Sequence, residues 1–176
     1  MSNIGILLVI PEPFGGELRV RRAAYGDPQA AAVPVHVTLL PPTPVEPRDV
    51  PEIERHLARV AAQGSTFRMR LRGTGSFRPV SQVVFVRVEQ GLLNCVELEA
   101  QVRSGLLERE LQFPYHPHVT VAHDLDDATL DAAFADLAHF EAEFTIQGFA
   151  LYAQEPSGGW RRLRLFRFLD EARAAA

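Results

Sequence analysis

The sequence has a single cysteine, Cys95, among its 176 residues. One cysteine cannot form a disulfide within the chain, and it excludes a metal cluster held by several cysteines. A chain without internal disulfides suits a reducing compartment, so we expect a cytoplasmic protein. Because a chain of this length buries roughly 70% of its unfolded surface on folding, it needs no disulfide or structural metal for stability.

The sequence also lacks an excess of positive charge, because its 22 acidic residues outnumber 18 basic ones and leave a net charge of −4. This balance excludes strong global attraction to a polyanion, so any nucleic-acid site must be a local positive patch. All the basic residues are arginine. The planar fork of arginine suits phosphate recognition, but a genome biased toward arginine codons would give the same composition.

Long hydrophobic runs are missing as well. The apolar stretch at residues 4–10 is far shorter than the ~20 residues that span a membrane, and Pro11-Glu12-Pro13 ends it. No basic segment precedes it, so it does not resemble a signal peptide. We therefore predict a buried strand there and no membrane association.

The spacing of apolar residues predicts an α+β protein in which strands and helices alternate. Strands are expected over residues 4–10, 35–40, 67–71, 82–88, 118–122, 143–153 and 160–169. Helices are expected over residues 14–25, 49–64, 92–107 and 126–140. Pro41-Pro42 is predicted to end the second strand, and Asp49 is a candidate cap for the helix that follows.

The predicted order of strands and helices contains an internal repeat. A His-Val-Thr strand, a helix and two further strands occupy residues 35–88, and the same series recurs over residues 118–169. The two triplets are 82 positions apart (118 − 36). Such a repeat predicts two similar lobes related by a pseudo-twofold axis. Because no low-complexity linker separates them, we expect residues 1–176 to form a single bilobal domain.

Each triplet is predicted to lie on a strand, where residues i and i+2 point to the same face. His36 and Thr38 should therefore project together, as should His118 and Thr120, while the valines between them point into a core. A single half-buried histidine on a strand is commonly structural. Two identical triplets in corresponding strands instead favour one shared functional site built from these four side chains.

Several segments resemble the 2H phosphoesterase superfamily, which is named for two His-x-Thr/Ser motifs, and its bacterial 2′-5′ RNA ligase-like branch above all. They are Pro34-Val35-His36-Val37-Thr38-Leu39, Ser76-Phe77-Arg78-Pro79-Val80, Ser104-Gly105-Leu106-Leu107 and Tyr115-His116-Pro117-His118-Val119-Thr120-Val121-Ala122. The resemblance covers nearly the whole chain. It implies two pseudo-symmetric lobes, each an antiparallel sheet with helices outside, and a phosphate cleft between them. Leu40-Pro41-Pro42 departs from the pattern of other branches, so the resemblance extends to the phosphate site and not to a nucleobase subsite.

The resemblance implies a metal-independent phosphoesterase acting on 2′,3′-cyclic phosphate or 2′-5′ phosphodiester bonds of RNA ends or nucleotides, with 2′-5′ RNA ligation as the reverse reaction. Histidine suits this chemistry because its ordinary pKa lies near working pH. We assign His36 as the acid and His118 as the base, although a symmetric site leaves the opposite assignment open. The hydroxyls of Thr38 and Thr120 would donate hydrogen bonds to the non-bridging phosphate oxygens.

Residues around the second triplet are further candidates. Tyr115 and His116 are candidate substrate contacts, since aromatic rings stack on bases, but core packing is the alternative for Tyr115. His116 and His123 also raise the alternative of a metal site. We expect no metal and no cofactor, because Pro117 separates His116 from His118 and His123 should point away from His118 on a regular strand. No Asp or Glu stands at a recognised ligand spacing.

Three groups of arginines are candidates for a local positive patch. They are Arg68, Arg70 and Arg72 on one strand; Arg161, Arg162, Arg164 and Arg167 on the closing strand; and Arg19, Arg21 and Arg22 on the first helix. A solvated sheet face is an equal alternative for the first group. The pattern of the first helix is compatible with either the buried or the exposed face for Arg19, Arg21 and Arg22.

Two other classes of function stay open. A binding module that holds a nucleotide or RNA end without turnover would keep the same triplets. A metallohydrolase would use the histidine cluster and lose its activity in a chelator. For the phosphoesterase, the expected partners are RNA ends or small cyclic nucleotides, and a monomer is the default assembly.

Overall fold

The computed structural model of the chain describes residues 2–169. Within this range the strands are β1 (Ser2–Val9), β2 (His36–Val45), β3 (Phe67–Ser76), β4 (Val83–Gln90), β5 (His118–His123), β6 (Glu141–Ile146), β7 (Gly148–Gln154) and β8 (Trp160–Arg167). The helices are α1 (Phe14–Ala24), α2 (Gln29–Ala32), α3 (Val50–Gln63), α4 (Leu92–Val102) and α5 (Asp127–Asp136). Short 3₁₀ helices cover Pro47–Asp49 and Gly105–Leu107.

The strands form one curled antiparallel sheet in the order β6-β3-β4-β5-β2-β1-β7-β8. It divides into a β4 half-sheet (β6, β3, β4, β5) and a β1 half-sheet (β2, β1, β7, β8). The two meet where β5 lies beside β2, and there the pairing is reduced to Val37 opposite Val119. The predicted α+β fold with two similar sheet lobes is confirmed.

The two half-sheets do not correspond to the two repeats of the sequence. The β1 half-sheet contains β2 from the first repeat and β7 and β8 from the second. The β4 half-sheet contains β3 and β4 from the first repeat and β5 and β6 from the second. Because each half-sheet needs strands from both repeats, neither repeat can complete a lobe alone.

Helices α3, α4 and α5, together with Leu18 of α1, cover one face of the sheet and enclose the main hydrophobic core. Alternation along β1 shows how the faces divide: Ile4, Ile6 and Leu8 belong to this core, while Gly5 and Leu7 face the opposite side. The central valines of both triplets, Val37 and Val119, are fully buried in the core, as the alternation predicts. Burying each such side chain contributes about 1.5–3 kcal/mol, and it leaves the concave face of the sheet for other uses.

Strand β2 corrects the expectation that Pro41-Pro42 ends the strand, because it continues to Val45. Among residues 2–169, this stretch of β2 pairs with β1 alone, through Thr43 opposite Ile4 and Val45 opposite Ser2. Proline lacks a backbone N–H, so it is tolerated where one edge of a strand has no neighbour.

The expectation of a single strand over residues 143–153 is also wrong. This segment forms two strands, β6 and β7, which are separated by Gln147 alone and lie in different half-sheets. A Cβ at Gly148 would collide with the carbonyl oxygen of Phe166. The chain can therefore turn beside β8 only with glycine at this position.

The helix ends differ from expectation by a few residues. Helix α4 stops at Val102 instead of residue 107, and α5 stops at Asp136 instead of residue 140. Asp126 caps α5 by accepting a hydrogen bond from the Thr129 amide, whereas Asp49 precedes α3 without a side-chain capping bond. Within residues 2–169, every helix is too short or too polar to cross a membrane.

Candidate functional site

The two triplets come together on the concave face of the sheet. Because β2 and β5 are antiparallel neighbours with Val37 opposite Val119, the residues that flank these valines project to the same side. His36, Thr38, His118 and Thr120 all line one cavity of about 390 Å³, which we call the triplet cavity. Alternation along two strands is thus sufficient to bring the four predicted side chains together.

Both imidazoles are held by the same local hydrogen bond. The Nδ1 of His36 lies 2.6 Å from the carbonyl oxygen of Pro34, and the Nδ1 of His118 lies 2.6 Å from that of His116. A carbonyl oxygen can only accept, so Nδ1 carries the proton in each ring. Each Nε2 is therefore free to accept a proton when the ring is neutral and to donate one when it is protonated.

Burial lowers the pKa of both histidines. The pKa of His36 falls to about 4, chiefly because burial penalises the charged ring, with smaller effects from the positive charges of Arg22 and His118. Burial also lowers the pKa of His118, and a protonated His116 would lower it further. Without a bound anion, both rings are therefore neutral near pH 7.

Arg22 is a residue of this site that the sequence could not select. It is 4% exposed on α1, and its Nε donates a 2.8 Å hydrogen bond to Oδ2 of the equally buried Asp27. Asp27 in turn accepts a hydrogen bond from the amide of Gln29. Arg22 lines the triplet cavity, among whose lining residues there is no Asp or Glu, so it brings to the cavity a guanidinium that Asp27 holds in place.

Its neighbours on α1 take other roles. Arg21 forms an exposed ion pair with Asp136, 2.7 Å away, and Arg19 is exposed. The one sequence signal that could have distinguished Arg22 is Asp27, which stands five positions later, beyond the helix end and before Pro28. An acidic residue placed there can fold back onto the last turn of the helix.

Aromatic side chains surround His118 on the β4 half-sheet. The ring of Phe77 meets the His118 ring edge-on with centroids 4.8 Å apart, and the ring of Phe85 lies 5.3 Å away. The exposed His116 ring also packs edge-on against Phe77 and lies 6.0 Å from His118. In the sequence, Phe77 stands out only as part of a segment that resembles the superfamily, and its position against His118 depends on the β3–β4 connection.

Neither Tyr115 nor His116 is among the residues that line the triplet cavity. The Tyr115 hydroxyl donates a 2.7 Å hydrogen bond to the carbonyl oxygen of Thr38, and its ring packs against the core. Burial raises the pKa of this phenol. Tyr115 thus ties the segment before the second triplet to the backbone of the first, which is the packing alternative for this residue.

His123 corrects the expectation that it points away from His118, because it lines the same cavity. The pairing of β4 with β5 shifts at this point: Phe85 lies opposite Thr120, and Val84 lies opposite Ala122. This irregularity leaves Val121 as an extra residue, which reverses the alternation after it. Even so, no group of three or more His, Cys, Asp or Glu side chains within residues 2–169 is placed to hold a metal ion.

The sequence profile of the 2′-5′ RNA ligase superfamily matches residues 10–158. The chain belongs to this superfamily. A Bacillus cereus protein is 30% identical over 167 residues, which cover 94% of this chain and 96% of the relative. A Geobacillus thermodenitrificans protein is 30% identical over 136 residues, covering 76% and 78%. Both relatives carry the provisional name phosphoesterase.

Solved structures of similar proteins have the same fold. TT0787 of Thermus thermophilus superposes with a TM-score of 0.69 at 24% identity, covering 96% of this chain and 99% of that one. Escherichia coli LigT in complex with 3′-AMP gives a TM-score of 0.69 at 20% identity, covering 95% and 98%. LigT has also been crystallised with ATP and with NADP⁺.

A member of the 2′-5′ RNA ligase superfamily needs basic residues that are free to bind a phosphate. The Arg68, Arg70 and Arg72 stripe is not a free basic patch, because all three arginines form ion pairs with glutamates. Those partners are Glu89, Glu141 and Glu143. These three arginines therefore match the alternative of a solvated sheet face. Within the triplet cavity, the arginine is Arg22.

Proposed function

We propose that this protein is a metal-independent phosphoesterase that acts on 2′,3′-cyclic phosphate or 2′-5′ phosphodiester bonds of RNA ends or nucleotides. The observation that carries the proposal is the matched pair of imidazoles, His36 and His118. Each is fixed through Nδ1 and leaves Nε2 free in the same cavity. Two such groups can hold the base and the acid of one displacement at phosphorus.

In the proposed hydrolysis, the base removes a proton from water as the water oxygen bonds to phosphorus. The bond from phosphorus to one ribose oxygen breaks, and the acid gives its proton to that oxygen. We propose His36 as the base and His118 as the acid. Burial, and to a smaller extent the positive charge of Arg22, lowers the pKa of His36 to about 4, so we assign the proton of the acid to His118. This reverses the assignment that we made from the sequence.

The substrate itself helps to charge the acid. Burial lowers the pKa of His118 in the free site, whereas the negative charge of a bound phosphodiester favours the imidazolium form. Binding and protonation of His118 are therefore coupled. Run backward, the same two groups would join a ribose hydroxyl to a cyclic phosphate, which is the ligation reaction.

Thr38, Thr120 and Arg22 are proposed to hold the phosphate. The threonine hydroxyls can donate to the non-bridging oxygens, where negative charge increases during the reaction. Arg22 has one nitrogen engaged by Asp27, and its terminal nitrogens remain for an anion in the cavity. A fixed guanidinium at this point supports a reaction that needs no metal ion to neutralise the phosphate.

A nucleotide-binding module without turnover is the second candidate. Two observations favour it: burial opposes the protonated imidazole that the reaction needs, and LigT, which shares this fold, has been crystallised with ATP and NADP⁺. Such a protein would hold a nucleotide phosphate between the triplets and release it unchanged.

The deciding experiment is a panel of 2′,3′-cyclic nucleotides and 2′-5′ linked dinucleotides, each assayed with and without EDTA. We expect turnover that survives EDTA and is lost in His36→Ala and His118→Ala but kept in His139→Ala, whose histidine is exposed and does not line the cavity. Saturable binding with no product over hours would instead show the binding module. Activity that EDTA removes and a metal restores would show a metallohydrolase.

A further inference from the structure

The four arginines of β8 divide into two pairs. Arg161 lies 3.3 Å from Glu155, and Arg164 forms an ion pair with Glu54 of α3 at 3.1 Å. Arg162 and Arg167 form no ion pair with a carboxylate of residues 2–169, and both line a second cavity of about 280 Å³. We call it the arginine cavity.

The arginine cavity adjoins the triplet cavity on the same face of the β1 half-sheet. Leu7 lines both cavities. Across the sheet, Leu7 lies opposite Thr38 of β2 on one side and opposite Ala150 of β7 on the other. Ala150 in turn lies opposite Leu165 of β8. Three strand spacings thus separate the first triplet from β8, a distance of about 14 Å.

An apolar floor joins the two cavities. Leu7, Ala150 and Tyr152 form a small buried cluster on this face, apart from the main core. Val33 and the half-buried Trp160 pack against it, and both line the triplet cavity. The result is one groove that runs from the two histidines, past the half-buried ring of Trp160, to Arg162 and Arg167.

The charge of this groove contrasts with that of the whole chain. The chain carries a net charge of −4, yet the described lining of both cavities contains arginine and histidine and no Asp or Glu. Arginines without a carboxylate partner bind phosphates, and aromatic rings stack on nucleobases. Acidic peptides would match the arginines but would not use the rings.

We propose that the arginine cavity binds the single-stranded RNA chain attached to the phosphate that lies between the triplets. This inference rests on the proposed function and refines it, because it makes an oligonucleotide, and not a mononucleotide, the preferred substrate. Arg162 and Arg167 contact phosphates of that chain, and the Trp160 side of the groove accommodates its bases.

The test compares two double variants that remove the same charge from the same strand. Arg162→Gln/Arg167→Gln changes the groove, and Arg161→Gln/Arg164→Gln removes the arginines that are ion-paired outside it. Each variant is assayed on adenosine 2′,3′-cyclic phosphate and on an adenosine octamer that ends in a 2′,3′-cyclic phosphate. Binding of a fluorescent octamer ending in a 3′-phosphate is measured in parallel by anisotropy as a function of salt.

For the groove variant we expect the octamer KM to rise roughly tenfold, with kcat and all parameters for the mononucleotide unchanged, because two phosphate contacts are lost. The salt slope of octamer binding should fall by about 1.4, since each contact on a single strand contributes ~0.7. The control variant should behave as the wild type. Thermal unfolding of both variants checks that they are folded.

Three outcomes would overturn the inference. The first is an equal effect of the two double variants on octamer binding. The second is a higher kcat/KM of the wild-type protein for the mononucleotide than for the octamer. The third is a glutamate octapeptide that competes as well as RNA, which would show a general site for acidic chains. If no substrate is turned over, the proposed function fails, but the anisotropy measurement still decides whether the groove binds RNA.

Discussion

The two His-Val-Thr triplets have the same backbone geometry but different surroundings. His36 lies beside the buried Arg22–Asp27 pair on the β1 half-sheet. His118 lies among the rings of Phe77 and Phe85 on the β4 half-sheet. Both rings are fixed by the same bond from Nδ1 to a carbonyl two residues earlier. The repeat thus sets where the two imidazoles are, and we propose that the residues outside it determine which of them holds a proton.

A difference of this kind lets a symmetric pair perform an asymmetric reaction. Hydrolysis needs one neutral and one protonated imidazole at the same moment. Burial of His36, together with the smaller effect of the nearby Arg22 guanidinium, makes the two protonation arrangements unequal in free energy.

The largest effect should come from replacing the histidines, with a leaving group that separates their roles. With a ribose leaving group, His36→Ala and His118→Ala should each lower kcat by roughly 10³-fold. With a 4-nitrophenyl ester, whose leaving group departs without a proton, His118→Ala should regain most of its activity while His36→Ala should not. Steady-state kinetics of both variants on both substrates measures this, and equal recovery of the two variants would reject the assignment.

Next in size is the loss of the buried ion pair that distinguishes the first triplet. The side chains of Arg22 and Asp27 are 5% and 1% exposed, whereas those of Arg21 and Asp136 are 42% and 41% exposed. Arg22→Met should lower the free energy of unfolding by about 3 kcal/mol, since it leaves a buried carboxylate without a partner. Arg21→Met should cost less than about 1 kcal/mol, and denaturant titration compares the two.

The double variant Arg22→Met/Asp27→Asn then tests the electrostatic argument without the buried charge. It should recover most of the lost stability, and the pKa of His36 should rise by part of its depression, because burial, the largest cause, remains while the smaller effect of the Arg22 charge is removed. NMR titration of the imidazole measures that pKa. An unchanged His36 pKa in a folded double variant would show that Arg22 does not distinguish the two triplets.

The smallest predicted effect is on the pH dependence of kcat/KM and kcat. Burial lowers the pKa of His36 to about 4 and keeps that of His118 below the ordinary value of 6.5. The singly protonated free enzyme therefore exists mainly below pH 6.5, and the optimum of kcat/KM should lie there. The optimum of kcat should lie about one pH unit higher, because the bound phosphate raises the pKa of the acid. A kcat/KM optimum above pH 7 would contradict this.

Local pattern was sufficient to predict the triplets and the strands that carry them. Alternation is a property of three consecutive residues, so the shared face of His36 and Thr38 follows from the sequence alone. The same pattern failed at His123, because the extra residue Val121 depends on how β5 pairs with β4. No local signal in β5 reports the register of its neighbour.

The role of Arg22 and the break at Gln147 depend on tertiary contacts. Arg21 and Arg22 are adjacent, so the way in which α1 packs against β5 decides which of them enters the cavity. Residues 143–153 read as one continuous strand because both β6 and β7 are rich in strand-forming residues. What divides them is the close approach of Gly148 to the backbone of β8, which the sequence does not reveal.

The one-residue connection at Gln147 also has a mechanical consequence. It joins β6, at one margin of the sheet, to β7, which lies two strands from β2 on the other side of the junction. The half-sheets are thus joined by the Val37–Val119 junction beneath the histidines, by this one-residue connection farther away, and by the hydrophobic core that they share. Because these attachments lie on both sides of the site, we expect the spacing of the two imidazoles to be set on folding and to change little when a substrate binds.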